Sequence, residues 1–426
     1  MSRFGDRALT EERRAIGAVE DRVKELYERH PYPPPVDDLS RYSRLWDDDH
    51  RRRAESHLFW PSEPYRSDRS VLVAGCGTSQ AARYALRWPQ ARVTGIDISA
   101  NSIESTEKLK LKHRLDNLEV IQLPVERAAE LGACFDHVVC TGVLHHLPDP
   151  DAGLRALREV LSPAGALHLM VYAPYGRAGV YQLQQYCRAL GIGTSSEEIR
   201  DLASSLRSLP PDHPLVPLLK NAPDFQSEAG LADALLHPQD RPYSVPEFLE
   251  FIDRGGLKFG RWLRQASYLP QCGALASYPH NALLAKLPTP QQYAAIELFR
   301  GTMVRHSAIV VRADCPGSAQ PIAFEGNEWR DYVPLRLPET IVVEERLPPG
   351  AEAVLINRSH TYTDLFLPIG KPQKAAFDGI DSVRTIEEIA RGQLDDGVAR
   401  AFFASLWNYD QVVFDASPMN QRTPGQ

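Results

Sequence analysis

The chain has 426 residues, a formal net charge of −7, 43% hydrophobic and 24% charged residues. That balance fits a globular chain of two or three domains with a sizeable core, and it weighs against nucleic acid as the main partner. No apolar run approaches a membrane span, the charged start Met1 to Arg14 is unlike a signal peptide, and the six scattered cysteines form no C-x-x-C pair. The expectation is a cytoplasmic protein without a membrane segment, zinc cluster or disulfide framework.

Residues 10–29 have helical spacing, with Ile16, Val19, Val23, Leu26 and Tyr27 on one face and Thr10 as a cap ahead of Glu11 and Glu12. The helix must stop at His30-Pro31-Tyr32-Pro33-Pro34-Pro35. An aromatic, proline-rich segment after a helix reads as a lid or as a packing arm, and the residues leave both open. Tyr32 is a candidate substrate contact. Asp47-Asp48-Asp49 followed by His50-Arg51-Arg52-Arg53 reads as a solvated helix face.

Val71-Leu72-Val73-Ala74 is a short buried strand that breaks at Gly75-Cys76-Gly77-Thr78-Ser79 and feeds a helical stretch, Gln80 to Trp88. Glycines at such a break let backbone approach a ligand, and the helix start offers unpaired N–H groups. A second strand, Ala91 to Ile96, ends at Asp97. That acid lies about twenty residues past the glycines, where a carboxylate can accept from ribose hydroxyls. A dinucleotide fingerprint requires a third glycine where Gln80 stands, which disfavours a nicotinamide-dependent oxidoreductase. The run resembles instead the first motif of class I S-adenosylmethionine-dependent methyltransferases, commonly Gly-Cys-Gly-Thr-Gly. It departs at Val73, where an acid is frequent, and at Ser79, where the last glycine stands.

Strands at 118–123, 135–141 and 167–172 alternate with helices at 100–114 and 151–161. The pattern implies an α/β fold with a doubly wound, mostly parallel sheet. After the fourth strand, Thr141-Gly142-Val143-Leu144-His145-His146-Leu147 resembles the Val-Leu-His-His-Leu segment of class I enzymes acting on small molecules. The resemblance implies a seven-stranded sheet closed by late strands at 257–263 and 307–312, with a helical insertion between. It also implies S-adenosylmethionine as cofactor, held by Gly75, Cys76, Gly77, Asp97, Ile98, Val125, Glu126, Thr141 and Gly142. Glu126 substitutes for a family acid that aligns with Pro124. His146, and less so His145, are candidates for a base, since imidazole titrates near neutrality. Tyr172, ending the fifth strand, is a second candidate substrate contact. No metal is expected, because adjacent histidines rarely share a ligand face.

The expected organisation is an N-terminal lid or arm (1–64), the cofactor-binding core (65–175), an insertion shaping the acceptor pocket (176–256), closing strands (257–313) and a small C-terminal α+β domain (325–416). Short strands followed by three helices and a strand give this last region a resemblance to peptide-recognising, PqqD-like winged-helix domains. It carries nine basic against sixteen acidic residues, a poor surface for phosphates and a better one for a protein or peptide. The function implied is in-line methyl transfer from S-adenosylmethionine to an oxygen or nitrogen nucleophile of a small molecule or peptide. The alternative is a cofactor-binding regulatory protein without catalysis.

Overall fold

The computed structural model describes residues 17–315 and 321–418. Thr10, Glu11, Glu12 and Ile16 lie outside them. Residues 17–29 are helical (α1), and the chain then passes through the proline segment to α2 (Ser40–Trp46) and α3 (Asp49–Phe59). The core follows as β1 (Ser70–Ala74), α4 (Gln80–Arg87), β2 (Arg92–Asp97), α5 (Ala100–His113), β3 (Leu118–Gln122), β4 (Phe135–Thr141), α6 (Pro150–Glu159) and β5 (Leu161–Tyr172).

Four helices come next: α7 (Ala178–Leu190), α8 (Ser196–Leu206), α9 (Val216–Asn221) and α10 (Glu228–Leu236). The sheet is closed by α11 (Val245–Arg254), β6 (Leu257–Trp262), α12 (Asn281–Leu284), α13 (Thr289–Arg300) and β7 (Arg305–Arg312). Strand order is β3-β2-β1-β4-β5-β7-β6, with β7 antiparallel to both neighbours. The expected seven-stranded, doubly wound sheet is therefore present. Order reverses between β1 and β4, both central and buried, so a crevice opens beyond their carboxyl ends.

The helices α7, α8 and α10 bury their own apolar cluster, including Val180, Ile199, Leu202 and Leu235. Leu26 of α1 belongs to that cluster, so the N-terminal helix docks on the insertion rather than on the sheet. Burying a side chain of this size contributes ~1.5–3 kcal/mol, and on α1 only Val23 and Leu26 are apolar and buried. Among the walls around the crevice, α1 is thus held by little apolar area.

The C-terminal region forms a pair, β8 (Val333–Arg336) with β12 (Val412–Asp415), and a three-stranded antiparallel sheet of β9 (Thr340–Val343), β10 (Ala353–Asn357) and β11 (Phe366–Ile369). Helices α14 (Lys371–Asp378), α15 (Ile386–Ala390) and α16 (Asp396–Asn408) pack against them. One apolar cluster joins this region to Ala54 and Leu58 of α3 and to Ala166 and Ile309 of the sheet. In the mixed charge run before and within α3, Asp47, Asp48 and Asp49 are exposed as expected, whereas His50 to Arg53 are half-buried. Arg51 pairs with Glu339 at 2.9 Å, and His50 Nε2 meets the Arg336 carbonyl at 2.8 Å. The arginine stretch is spent on an internal contact, which its local charge pattern could not distinguish from solvent exposure. The six cysteines are free, and among the described residues no helix is long and apolar enough to cross a membrane.

Candidate active site

The β1–α4 turn needs its glycines. Gly75 and Gly77 have φ of +70° and +53°, the left-handed region that side chains disfavour. A Cβ on Gly75 would also lie 2.3 Å from Val143 Cγ2, and one on Gly77 would lie 3.0 Å from Pro33 Cδ. The turn is pinned by Gly75 N–H and Cys76 N–H donating to the Ile96 carbonyl at 2.8 and 2.9 Å. Gly77 N–H donates to Asp97 Oδ2 at 2.8 Å, and Ser99 N–H to Asp97 Oδ1 at 2.9 Å. A carboxylate has about four acceptor sites, so each Asp97 oxygen keeps capacity for a ligand hydroxyl. Burial pushes the Asp97 carboxyl up, and the two backbone donors oppose that.

At the third-glycine position, Gln80 Nε2 donates to Thr141 Oγ1 at 2.8 Å and bridges the tips of α4 and β4. Ser79 precedes α4 and makes no side-chain cap, and the Gln80 N–H at the start of that helix donates to the Cys76 carbonyl at 3.1 Å.

A cavity of about 590 Å³ lies over this turn. It is within the range of cofactor and ligand pockets. Gly75, Cys76, Gly77, Asp97, Ile98, Val125, Glu126, Thr141 and Gly142 all line it. Burial pushes the Glu126 carboxyl up, as expected for an acid facing an enclosed ligand site. The opposite wall is made by Tyr27, Tyr32, His146, Tyr172 and Asp233. The proline segment roofs it: Thr78 Oγ1 donates to the Pro33 carbonyl at 2.7 Å. Glu28 anchors α1 by accepting from Ala100 N–H at 2.6 Å, while His30 Nε2 meets the Thr194 carbonyl at 2.7 Å.

His146 is placed by one backbone contact. Its Nδ1 lies 2.8 Å from the Gln239 carbonyl, which requires the proton on Nδ1 and leaves Nε2 as an acceptor. Its ring stacks on His237 at 3.9 Å between centroids. His237 Nδ1 accepts from Gln239 N–H at 3.0 Å, so its Nε2 carries the proton, buried and without a partner. Burial holds His237 well below the ordinary imidazole range. His146, Asp233 and His237 offer atoms within 4.8 Å of one another, close enough for a shared cation. The donor set does not suit one: with Nδ1 occupied, ligation through His237 Nε2 would require an imidazolate.

Residues 72–167 match a family described as a methyltransferase domain. In overall fold the chain resembles PKMT2 of Rickettsia typhi, solved in complex with AdoHcy. The TM-score is 0.58 at 16% identity, covering 90% of this chain and 77% of that one. Over 96 residues it is 34% identical to a ubiquinone biosynthesis O-methyltransferase of Albidiferax ferrireducens, 22% of this chain and 38% of that enzyme. Over 119 residues it is 35% identical to a trans-aconitate 2-methyltransferase of Deinococcus radiodurans, 28% and 42% of the two chains.

The chain is a class I S-adenosylmethionine-dependent methyltransferase.

It belongs to one family with an uncharacterised protein of Synechococcus, 32% identical over 311 residues that cover 70% of this chain and 73% of that relative. The methyltransferase has a cradle that fits its cofactor: two positive-φ glycines, a buried carboxylate with acceptor capacity left, and an enclosed cavity beside both.

Two corrections to the expected site follow. His145 is fully buried, does not line the cavity and finds no hydrogen-bond partner for either ring nitrogen. Burial holds it well below the ordinary imidazole range, so it is a packed neutral ring between His146 and Tyr172. Asp233 and Tyr27 were not anticipated as site residues. Tyr27 reads in sequence as one apolar position of α1, and Asp233 as a lone acid in an apolar helix. An acid flanked by buried alanines and leucines is the one signal that could have singled out Asp233.

Proposed function

We propose that the methyltransferase binds S-adenosylmethionine with its amino acid portion along Gly75, Cys76, Gly77, Thr141 and Gly142. Its ribose lies on Asp97, and its adenine lies between Ile98, Val125 and Glu126. The acceptor, a small molecule or peptide, occupies the wall formed by Tyr27, Tyr32, Tyr172 and Asp233. The observation that carries this reading is the single cavity that joins the glycine turn and Asp97 to His146 and Tyr172.

The cofactor supplies a sulfonium methyl: a bond from nucleophile to methyl carbon forms as the carbon–sulfur bond breaks, with the electron pair leaving on sulfur. The chain's part is alignment, exclusion of water and removal of one proton. His146 Nε2 takes that proton, its tautomer fixed by the Gln239 carbonyl. Arg177 stacks over the Tyr172 ring at 3.6 Å and holds the ring in place beside His146. The proline segment and α1 close the cavity over both ligands. No residue of 325–416 lines the cavity, so a winged-helix-like role for that acidic region would be in contacting a protein or peptide away from the reacting atoms.

Calorimetry with S-adenosylmethionine, S-adenosylhomocysteine and NAD tests the first half of the reading. Binding of both sulfur nucleotides and not of NAD is expected. Failure to bind either sulfur nucleotide would sink it.

A further inference from the structure

We infer that the methyl acceptor is a primary amine, bound as its ammonium against Asp233. This rests on the acceptor wall and the His146 base assigned above.

Asp233 is 5% exposed and sits in α10 among buried Leu231, Ala232, Ala234 and Leu235. It accepts one hydrogen bond, from the Tyr27 hydroxyl at 2.9 Å, and has no cation within ion-pair distance among the described residues. Arg177 is engaged elsewhere, 3.7 Å from Asp240 and over the Tyr172 ring. A buried carboxylate supported by one neutral donor is strongly disfavoured unless an opposite charge reaches it. Burial accordingly pushes the Asp233 carboxyl up, against the pull of His146, Tyr27 and Arg177. Asp233 lines the cavity, so the missing charge has a route to it.

The rest of the wall has the same preference. Tyr27 and Tyr32 line the cavity, and aromatic faces attract cations, whereas the Tyr172 ring already carries Arg177. His146 Nε2 is an acceptor. His145, His237, Asp240 and Arg177 surround the imidazole from behind, and Glu20 lines the cavity on α1. Arg83, Arg127 and Arg305 also line it; Arg127 and Arg305 are exposed, where solvent screens their charge, and Arg83 lies on the cofactor side, on α4. A hydroxyl would give Asp233 a hydrogen bond and no charge. An ammonium gives it both. Before attack the ammonium gives one proton to His146 Nε2. The freed nitrogen lone pair then forms the bond to the methyl carbon as the carbon–sulfur bond breaks, leaving a methylated ammonium and a neutral thioether.

The test uses the full chain saturated with S-adenosylhomocysteine and ligand-observed NMR titration with n-butylamine hydrochloride and with 1-butanol at neutral pH. Butylammonium is expected to bind at least about tenfold tighter than the alcohol. Asp233→Asn is expected to remove that preference while S-adenosylhomocysteine affinity stays within about threefold. Equal affinities for amine and alcohol, or an amine preference that survives Asp233→Asn, would overturn the inference. If Asp233→Asn no longer binds S-adenosylhomocysteine, Tyr27→Phe decides. It deletes the one donor that helps hold Asp233 ionised, so the preference for butylammonium over butanol should shrink. An unchanged or larger preference overturns the inference. Loss of S-adenosylhomocysteine binding by the unaltered chain would instead sink the cofactor reading, which keeps the two failures distinct.

Discussion

On the cofactor side of the cavity, Gly75, Gly77 and Asp97 come from one strand–helix–strand unit, and backbone hydrogen bonds fix each of them. On the acceptor side, Tyr27, His146, Tyr172 and Asp233 come from α1, the β4–α6 connection, β5 and α10; Tyr27 and Asp233 hold each other, and His146 is held from the distant Gln239 carbonyl. The first wall is local and rigid before any ligand arrives. The second exists only once distant segments have docked. Substitutions should therefore act differently on the two sides: on affinity for the nucleotide on one, on use of the acceptor on the other.

The largest effect should come from the acceptor wall. His146→Gln is expected to lower methyl transfer by about 10²–10⁴-fold, as loss of a general base does, while S-adenosylhomocysteine affinity is unchanged. Rates of S-adenosylhomocysteine release with an accepted amine, set beside calorimetry, check it. A variant that turns over normally would remove His146 from the chemistry. On the cofactor wall, Gly75→Ala forces a Cβ against Val143 and into a positive φ. Nucleotide affinity should fall by about 100-fold, seen by calorimetry. Binding within a few-fold of the parent would mean the turn tolerates a side chain and is not the cradle.

Asp97→Asn keeps the shape and removes the charge. A loss of about tenfold in nucleotide affinity is expected from the same titration, in line with hydrogen bonds to a charged group. Unaltered affinity would separate Asp97 from the ribose.

The smallest effect lies outside both walls and calibrates them. Burial lowers His168, on β5 with its ring against Ser307 of β7, to about 3 from the usual 6.5. The native state keeps this ring neutral while the unfolded chain protonates it. The stability it contributes is whole above pH 6.5 and is lost as pH falls towards 3, by up to about 1.4 kcal/mol per pH unit. Denaturant titrations at pH 7, 6 and 5 should show His168→Gln with the shallower acid slope. Equal slopes would mean another buried imidazole, such as His137, carries the effect.

The same contrast explains what the chain revealed before folding. The sheet, its glycine turn and Asp97 were readable because strand length, glycine position and acid spacing all lie within one contiguous stretch. Gln80 was readable as a departure, yet its bond to Thr141 was not, since that depends on how α4 meets β4. His146 could be ranked ahead of His145 but His145 could not be dismissed, because adjacent residues in a tight turn face different surroundings that sequence does not express. Asp233 was invisible because its hydrogen-bond partner, Tyr27, sits more than two hundred residues away. His50 and Arg51 of α3 were misjudged for the same reason: their partner carbonyl and carboxylate arrive from β8 and the β8–β9 turn.

The roof over the cavity has a kinetic consequence. The proline segment is tied to Thr78 on the cofactor turn, and α1 to Ala100 at the start of α5 and, through His30, to Thr194 in the insertion. We propose that a spent nucleotide leaves when those ties break and that the next one enters before they reform. Turnover at saturating acceptor is then set by how often this strap lets go, so weakening it, for example with Thr78→Val, should shorten the residence time of the product before it alters the chemistry beneath.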